Sequence, residues 1–281
     1  MNKILITGAK GQLGTELRKL FDTEEISYLS PDSATLDITN ELAVNAYFLA
    51  HQPTVVFHCA AYTAVDRAEE EDKALNWEVN ANGTGNLAKA SRNVDATLVY
   101  ISTDYVFDGE NLDEYQVDAE VNPRNEYGRA KLAGEQAVQN YCSKYYIVRT
   151  SWVFGEYGEN FVYTMLRLAE THKKLTVVAD QLGRPTWSRT LAEFLLHLYI
   201  ANPDYGIYHL SNEGNCSWYE FAAEILKDKN IEILPVNSKE YPQKAYRPRH
   251  SVMSLKKTQS LGFEIPSWKE ALNDFLIKIN N

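Results

Sequence analysis

Ile4-Leu5-Ile6-Thr7-Gly8-Ala9-Lys10-Gly11-Gln12-Leu13-Gly14 decides how the rest of the chain is read. A short β-forming run leads straight into glycines spaced G-x-x-G-x-x-G. Leu13, Leu17, Leu20 and Phe21 then recur at helical spacing, giving one apolar face. The pattern is strand, tight turn, helix. Gly8, Gly11 and Gly14 let the backbone turn sharply and let its N–H groups come close to a ligand. The helix that follows aims its N-terminal partial positive charge at the same place, which suits a pyrophosphate. A plain βα loop with packing glycines carries the same letters, so the reading depends on what surrounds it.

Working outward, strands are expected over 26–29, 54–60, 97–102 and 146–149, and helices over 73–93 and 127–141. Repeated strand–helix alternation predicts an α/β fold, a Rossmann-like doubly wound parallel sheet with helices on both faces. After Thr150 the rhythm loosens. Helices are expected over 160–171, 190–201, 217–226 and 268–279, separated by proline-bearing segments at Arg184-Pro185-Thr186 and from Tyr241-Pro242 to Arg247-Pro248. Residues 1–150 are read as an NAD(P)-binding domain, joined by segments from about 187–210. Residues 151–281 are read mainly as a smaller C-terminal substrate-binding lobe.

A net charge of −10 argues against nucleic acid as a partner, because phosphate backbones need a basic surface. It leaves room for a small anionic ligand held by a few placed cations. Cys59, Cys142 and Cys216 form no C-x-x-C pair, which suits a reducing compartment. No stretch approaches the about 20 apolar residues of a membrane span, and the apolar run at Ile4 is too short for an export signal. The N-x-S/T triplets at Asn82 and Asn215 are read as chance. The expectation is a soluble, cytoplasmic protein with no membrane partner.

Several residues then ask for a role. Asp37-Ile38 closes an apolar patch, where an acid can accept from an adenine amino group or cap a helix. Ala60-Ala61, after a buried strand, let a flat ligand lie against the backbone or simply fill the core. The second strand ends at Ser30, where an acid would grip the ribose 2′-OH of NAD. Ser30 neither attracts nor strongly repels a 2′-phosphate, so NADPH and NADH are both expected, with a mild preference for NADPH. Tyr127 and Lys131 stand at i and i+4, on one face of a helix. A neighbouring ammonium is expected to lower the phenol's pKa toward working pH. Ser102-Thr103-Asp104 ends a strand at the sheet edge where open α/β folds bind ligands. A hydroxyl, a phenol and an amine converging there would polarise a carbonyl and protonate it as hydride arrives.

These residues carry a resemblance. The glycine turn, Thr103 and the Tyr127/Lys131 pair resemble the extended short-chain dehydrogenases. More narrowly, several strings are similar to the dTDP-4-dehydrorhamnose reductases: 61–66 (AYTAVD), 102–109 (STDYVFDG), 127–135 (YGRAKLAGE), 149–154 (RTSWVF) and 180–186 (DQLGRPT). The resemblance implies that Gly11, Gln12 and Leu13 meet the pyrophosphate, that Asp37 and Ile38 meet the adenine, and that Ala61, Tyr62 and Thr63 line the cofactor groove. It implies Thr103 on the C4 carbonyl, Asp104 and Trp152 at the sugar, Tyr127 as general acid, and Lys131 on the nicotinamide ribose. The implied reaction is reduction of dTDP-4-dehydro-L-rhamnose to dTDP-L-rhamnose, with a nucleotide sugar as the small-molecule partner. Arg184, Arg247 and Arg249 are candidates for the substrate diphosphate, Arg184 foremost. Some members of the family bind Mg2+ between two subunits through glutamates; Glu16 and Glu193 match such positions, and no glutamate of the last helix completes the set. A homodimer is the partner such a metal would imply; no metal ligand is assigned here. An epimerase or dehydratase of the same fold, and a cofactor-binding regulatory subunit without turnover, are the competing readings; Tyr105 after Asp104 stands where a dehydratase carries a glutamate.

Overall fold

The structure is a computed structural model that describes residues 3–241 and 243–280. It runs β1 (Ile4–Thr7), α1 (Gln12–Thr23), β2 (Tyr28–Leu29), α2 (Glu41–His51) and β3 (Val55–His58). A continuous helical stretch follows: α3 (Lys73–Trp77), a wider π turn over Glu78–Gly83, and α4 (Thr84–Asn93). Then come β4 (Thr97–Thr103), α5 (Glu126–Tyr141), β5 (Tyr145–Thr150), β6 (Val153–Phe154), α6 (Phe161–Thr171) and β7 (Lys174–Val178). The chain continues through β8 (Leu182–Gly183), β9 (Thr186–Trp187), α7 (Ser188–Ala201) and β10 (Gly206–His209). It ends with β11 (Cys216–Ser217), α8 (Trp218–Ile225), β12 (Glu232–Val236), α9 (Lys256–Gln259) and α10 (Trp268–Asn280).

Six strands form one parallel sheet in the order β10-β5-β4-β3-β1-β2. Strand residues alternate between its faces as a pleat requires. Ile4 and Ile6 pack with Leu17 and Phe21 of α1 and Leu195 of α7, while Leu5 packs with Phe48 of α2 and Leu87 of α4. The order reverses between β1 and β3, so their carboxyl ends open a crevice at the switch point. A separate apolar cluster from α6, α8 and α10 underlies the remaining residues, where β7 and β12 make a second parallel pair.

The sequence reading missed three features. β2 is two residues long because only Tyr28 and Leu29 reach β1. α2 was not expected: Val44 and Phe48 are its only buried residues, and the exposed Leu42 and Leu49 blur the apolar stripe. β10 joins the main sheet by pairing with β5, a contact that no local pattern announces.

Candidate active site

The glycine turn is built by close backbone packing. Gly8 has φ +67°, and a Cβ there would lie 2.4 Å from the amide nitrogen of Ala60. A Cβ on Gly14 would lie 2.2 Å from the Gly8 carbonyl oxygen. Both glycines therefore let β1, α1 and the exit of β3 touch. Gly11 caps α1 without a side-chain hydrogen bond, so the first amides of the helix are left for another acceptor. They border a cavity of about 550 Å³ lined by Gly11, Gln12 and Leu13 on one side and by Thr103, Tyr127 and Lys131 on another. A helix N-terminus without a side-chain cap, at a switch point, fits a dinucleotide pyrophosphate.

Of the remaining residues assigned to the cofactor, Ala60, Ala61 and Thr63 line this cavity. Ser30, Asp37, Ile38 and Tyr62 do not. The Asp37 carboxylate accepts from the amide (2.9 Å) and hydroxyl (2.7 Å) of Thr39, closing its own turn. It does not cap α2; Asn40 does, accepting from the Ala43 amide. Ile38 is buried against Gly83. Tyr62 turns away, its phenol donating to Asp72 at 2.6 Å. Beyond Ser30, Asp32 pairs with Lys10 of the glycine turn at 2.9 Å. That hydrogen bond, helped by Thr35, holds the Asp32 carboxyl down at about 2. Lys10 is a cation near Ser30 that the sequence reading does not name.

Helix α5 is aimed by its first turn. Asn125 accepts from the Gly128 amide at 2.6 Å and donates to the Tyr246 carbonyl at 2.8 Å. A Cβ on Gly128 would lie 2.2 Å from the Tyr105 carbonyl oxygen, so glycine lets the helix press against the turn after β4. Tyr127 thus lies edge-on to Tyr105, ring centroids 6.0 Å apart. The Thr103 hydroxyl accepts from the Tyr105 amide (3.2 Å), donates to Asp104 (3.1 Å) and interacts with the Tyr127 phenol. One turn along α5, the buried Lys131 donates to the Ile101 carbonyl at 2.6 Å, and its ammonium sits 4.2 Å from the centroid of the Tyr100 ring.

The electrostatics correct one expectation. Burial, then the Asp104 charge, push the Tyr127 phenol above its ordinary value, with Thr103 opposing. Lys131 is not among the charges acting on Tyr127, because burial leaves the amine neutral before the phenol ionises. Burial pushes Lys131 down to about 7, partly offset by Glu135. Burial also pushes Asp104 up to about 7 against hydrogen bonds from Ser251 and Thr103. Three buried oxygens of the cavity-lining residues Ser102, Asp104 and Thr150 have no partner, so the crevice is short of polar partners.

Trp152, with φ +48°, lies flat on Trp218 at 3.6 Å, and both line the cavity. A Cβ on Gly183 would strike the Trp152 ring, so that glycine seats the indole. Trp218 was missing from the sequence candidates, since an aromatic opening a helix reads as core. It also borders a second groove of about 610 Å³, with Phe161, Met165, Lys244 and Arg247. Arg247 pairs there with Asp66 at 2.7 and 3.0 Å. Arg184 is brought to neither cavity; its guanidinium holds Glu114 at 2.5 Å. Arg249 is exposed. Pro242 lies outside the described residues.

The glutamates matched to a shared Mg2+ do not fit a metal. Arg189 stands between Glu16 (3.4 Å) and Glu193 (2.6 Å), and the last helix brings Lys278 to within 3.9 Å of Glu16. Among the described residues no cluster of three or more acids, histidines or cysteines is placed to hold a metal ion.

A family model described as the RmlD substrate binding domain matches residues 1–281. The spore coat polysaccharide biosynthesis protein SpsK of Bacillus subtilis (strain 168) is 41% identical over 279 residues, 98% of this chain and 97% of that one. A dTDP-4-dehydrorhamnose reductase of Aggregatibacter actinomycetemcomitans is 39% identical over 289 residues, 98% of each. The crystal structure of dTDP-4-dehydrorhamnose reductase from Bacillus anthracis str. Ames, in complex with NADP, superposes with a TM-score of 0.95 at 43% identity, covering 99% of this chain and 100% of that one.

Proposed function

The chain belongs to the family of the RmlD substrate binding domain, and we propose that it reduces the C4 ketone of dTDP-4-dehydro-L-rhamnose to the alcohol of dTDP-L-rhamnose. The observation that carries the reading is one cavity that joins the glycine turn to Thr103, Tyr127 and Lys131, with three orphaned oxygens among its walls. The nicotinamide cofactor supplies the hydride. Thr103 hydrogen-bonds the C4 oxygen and polarises it. Tyr127 then passes its proton to that oxygen as negative charge builds. A phenol held above its ordinary pKa keeps its proton until a stronger base, the nascent alkoxide, forms beside it. Lys131, steadied by Ile101, holds the nicotinamide ribose. Trp152 and Trp218 form an apolar wall for the sugar, and the nucleotide extends into the groove beyond Trp218, where Arg247 and Lys244, now paired with Asp66 and Glu70, are the cations that a diphosphate would draw on.

Residues 1–150 with segments from about 187–210 serve the cofactor in this reading, and the rest mainly the substrate. NADPH and NADH both serve, with a mild preference for NADPH. Lys10, paired with Asp32 in the turn after β2, is the cation that a 2′-phosphate would draw on. Replacing Lys10 by Ala should raise the KM for NADPH more than that for NADH. A thousandfold preference for either cofactor in the unaltered chain would mean that Ser30 is the wrong residue to read. The reaction is assigned to the cytoplasm; no helix among the described residues is long and apolar enough to cross a membrane.

The direct test is NADPH oxidation with dTDP-4-dehydro-L-rhamnose, comparing the wild type with Tyr127→Phe. Turnover by the wild type and its loss in the variant are expected. Equal rates would remove Tyr127 from the mechanism, and no wild-type turnover would remove the substrate.

A further inference from the structure

Behind the glycine turn lies a charged cluster that the reaction does not use. Glu16, on the second turn of α1, is 1% exposed, and one of its oxygens has no partner. Its other oxygen faces Arg189 of α7 at 3.4 Å and Lys278 of α10 at 3.9 Å. The same Lys278 ammonium binds Glu156 at 2.7 Å, and Glu156 also accepts from the Trp187 indole at 3.2 Å. Glu156 belongs to the loop 155–160, which the Gln12 side chain ties to the glycine turn: Gln12 accepts from Asn160 at 3.2 Å, and Asn160 donates back to Gly155 at 2.8 Å. Gly158 and Glu159 of this loop line the candidate cofactor cavity.

Two carboxylates thus converge on cationic side chains of this chain, Arg189 and Lys278. Without Lys278, Glu16 and Glu156 would face each other with only Arg189, which is shared with Glu193, and the exposed Lys19 left nearby to offset them. Like charges left together in a poorly hydrated place push their elements apart. The element free to move is the loop, since α1 and α7 are locked into the core by Leu17, Phe21 and Leu195.

We propose that Lys278 serves as the cation of this cluster in place of a metal ion, and that it holds loop 155–160 over the glycine turn, so that the C-terminal helix sets cofactor affinity. Lys278 touches neither cavity; it is a positioning residue acting through Glu156. The inference rests on the glycine turn being the cofactor cradle, and not on the identity of the sugar.

The test is fluorescence titration with NADPH alone, together with thermal unfolding in EDTA or millimolar MgCl2. The wild type should give the same NADPH Kd and the same Tm in both buffers. Lys278→Ala should weaken NADPH roughly three- to tenfold, the scale of coupling from outside a site, and Lys278→Arg should restore it. Lys278→Glu gathers three carboxylates, so its Tm should fall in EDTA and recover with Mg2+. A wild-type Tm that rises with Mg2+, or a Lys278→Ala protein that binds NADPH as the wild type does, would overturn the proposal. Because no sugar is present, lack of turnover on the proposed substrate leaves these outcomes intact. Failure of the wild type to bind NADPH at all would instead sink the cofactor reading, and this inference with it.

Discussion

Tyr127 is surrounded so that it gives up a proton late and Asp104 so that it keeps one long. With Asp104 raised from 3.8 to about 7, the folded chain holds a proton that the unfolded chain has lost. Stability therefore falls as pH rises from about 4 to about 7, by on the order of 4 kcal/mol. Asp104→Asn removes that penalty, so its Tm advantage over the wild type should grow across this window. A constant Tm difference would mean the carboxyl is not held protonated. Activity should move the same way. As pH passes about 7, Asp104 gains a negative charge beside Tyr105 and Tyr127, and Lys131 loses its positive one. Both changes disfavour an anionic transition state, so kcat/KM should decline above pH 7. Tyr127→Phe should lower kcat by roughly 10²- to 10⁴-fold, the usual contribution of a general acid.

Helix α5 carries the chemistry because of how it begins. Asn125 supplies the cap and Gly128 the close approach to Tyr105. Asn125→Ala should cost about 1 kcal/mol for the cap and also free the Tyr246 carbonyl, which urea unfolding would register. Gly128→Ala meets backbone rather than a flexible side chain, so the helix itself must shift. A loss of roughly 1–3 kcal/mol is expected, with kcat falling further than stability alone explains. Here the spacing of Tyr127 and Lys131 was plain from the sequence, because a helix places i and i+4 on one face whatever surrounds it. What Lys131 does with its ammonium was not plain, since Ile101 and Tyr100 approach it from β4, outside its own helix. Asp37 shows the same limit: an acid before a polar turn suits several roles, and Thr39 claimed it.

At the scale of the whole molecule, two contacts hold the site together across long separations. Glu135 and Arg149 form a buried pair with two hydrogen bonds, 2.9 and 2.7 Å, joining α5 to β5. Arg149→Met should destabilise the chain by roughly 3–5 kcal/mol, because Glu135 is left charged and buried. Trp218 joins the two cavities by stacking on Trp152. Trp218→Ala should raise the KM for the nucleotide sugar while the KM for NADPH changes little, and equal effects on both would argue that the stack only supports the fold.

Local spacing alone announced the α/β alternation, the glycine turn and the pairing of Tyr127 with Lys131 on one helix face. Each depends on contacts within one strand–turn–helix unit, where the period of the backbone decides which side chains are neighbours. The chain had to fold before Lys10 could meet Asp32, before Trp152 could lie on Trp218, or before Lys278 could sit between Glu16 and Glu156. Those pairings join residues tens or hundreds of positions apart, and only packing of the sheet against the C-terminal elements brings them within reach. Charges and rings on distant segments have no preferred partner until burial removes the water that would otherwise satisfy them.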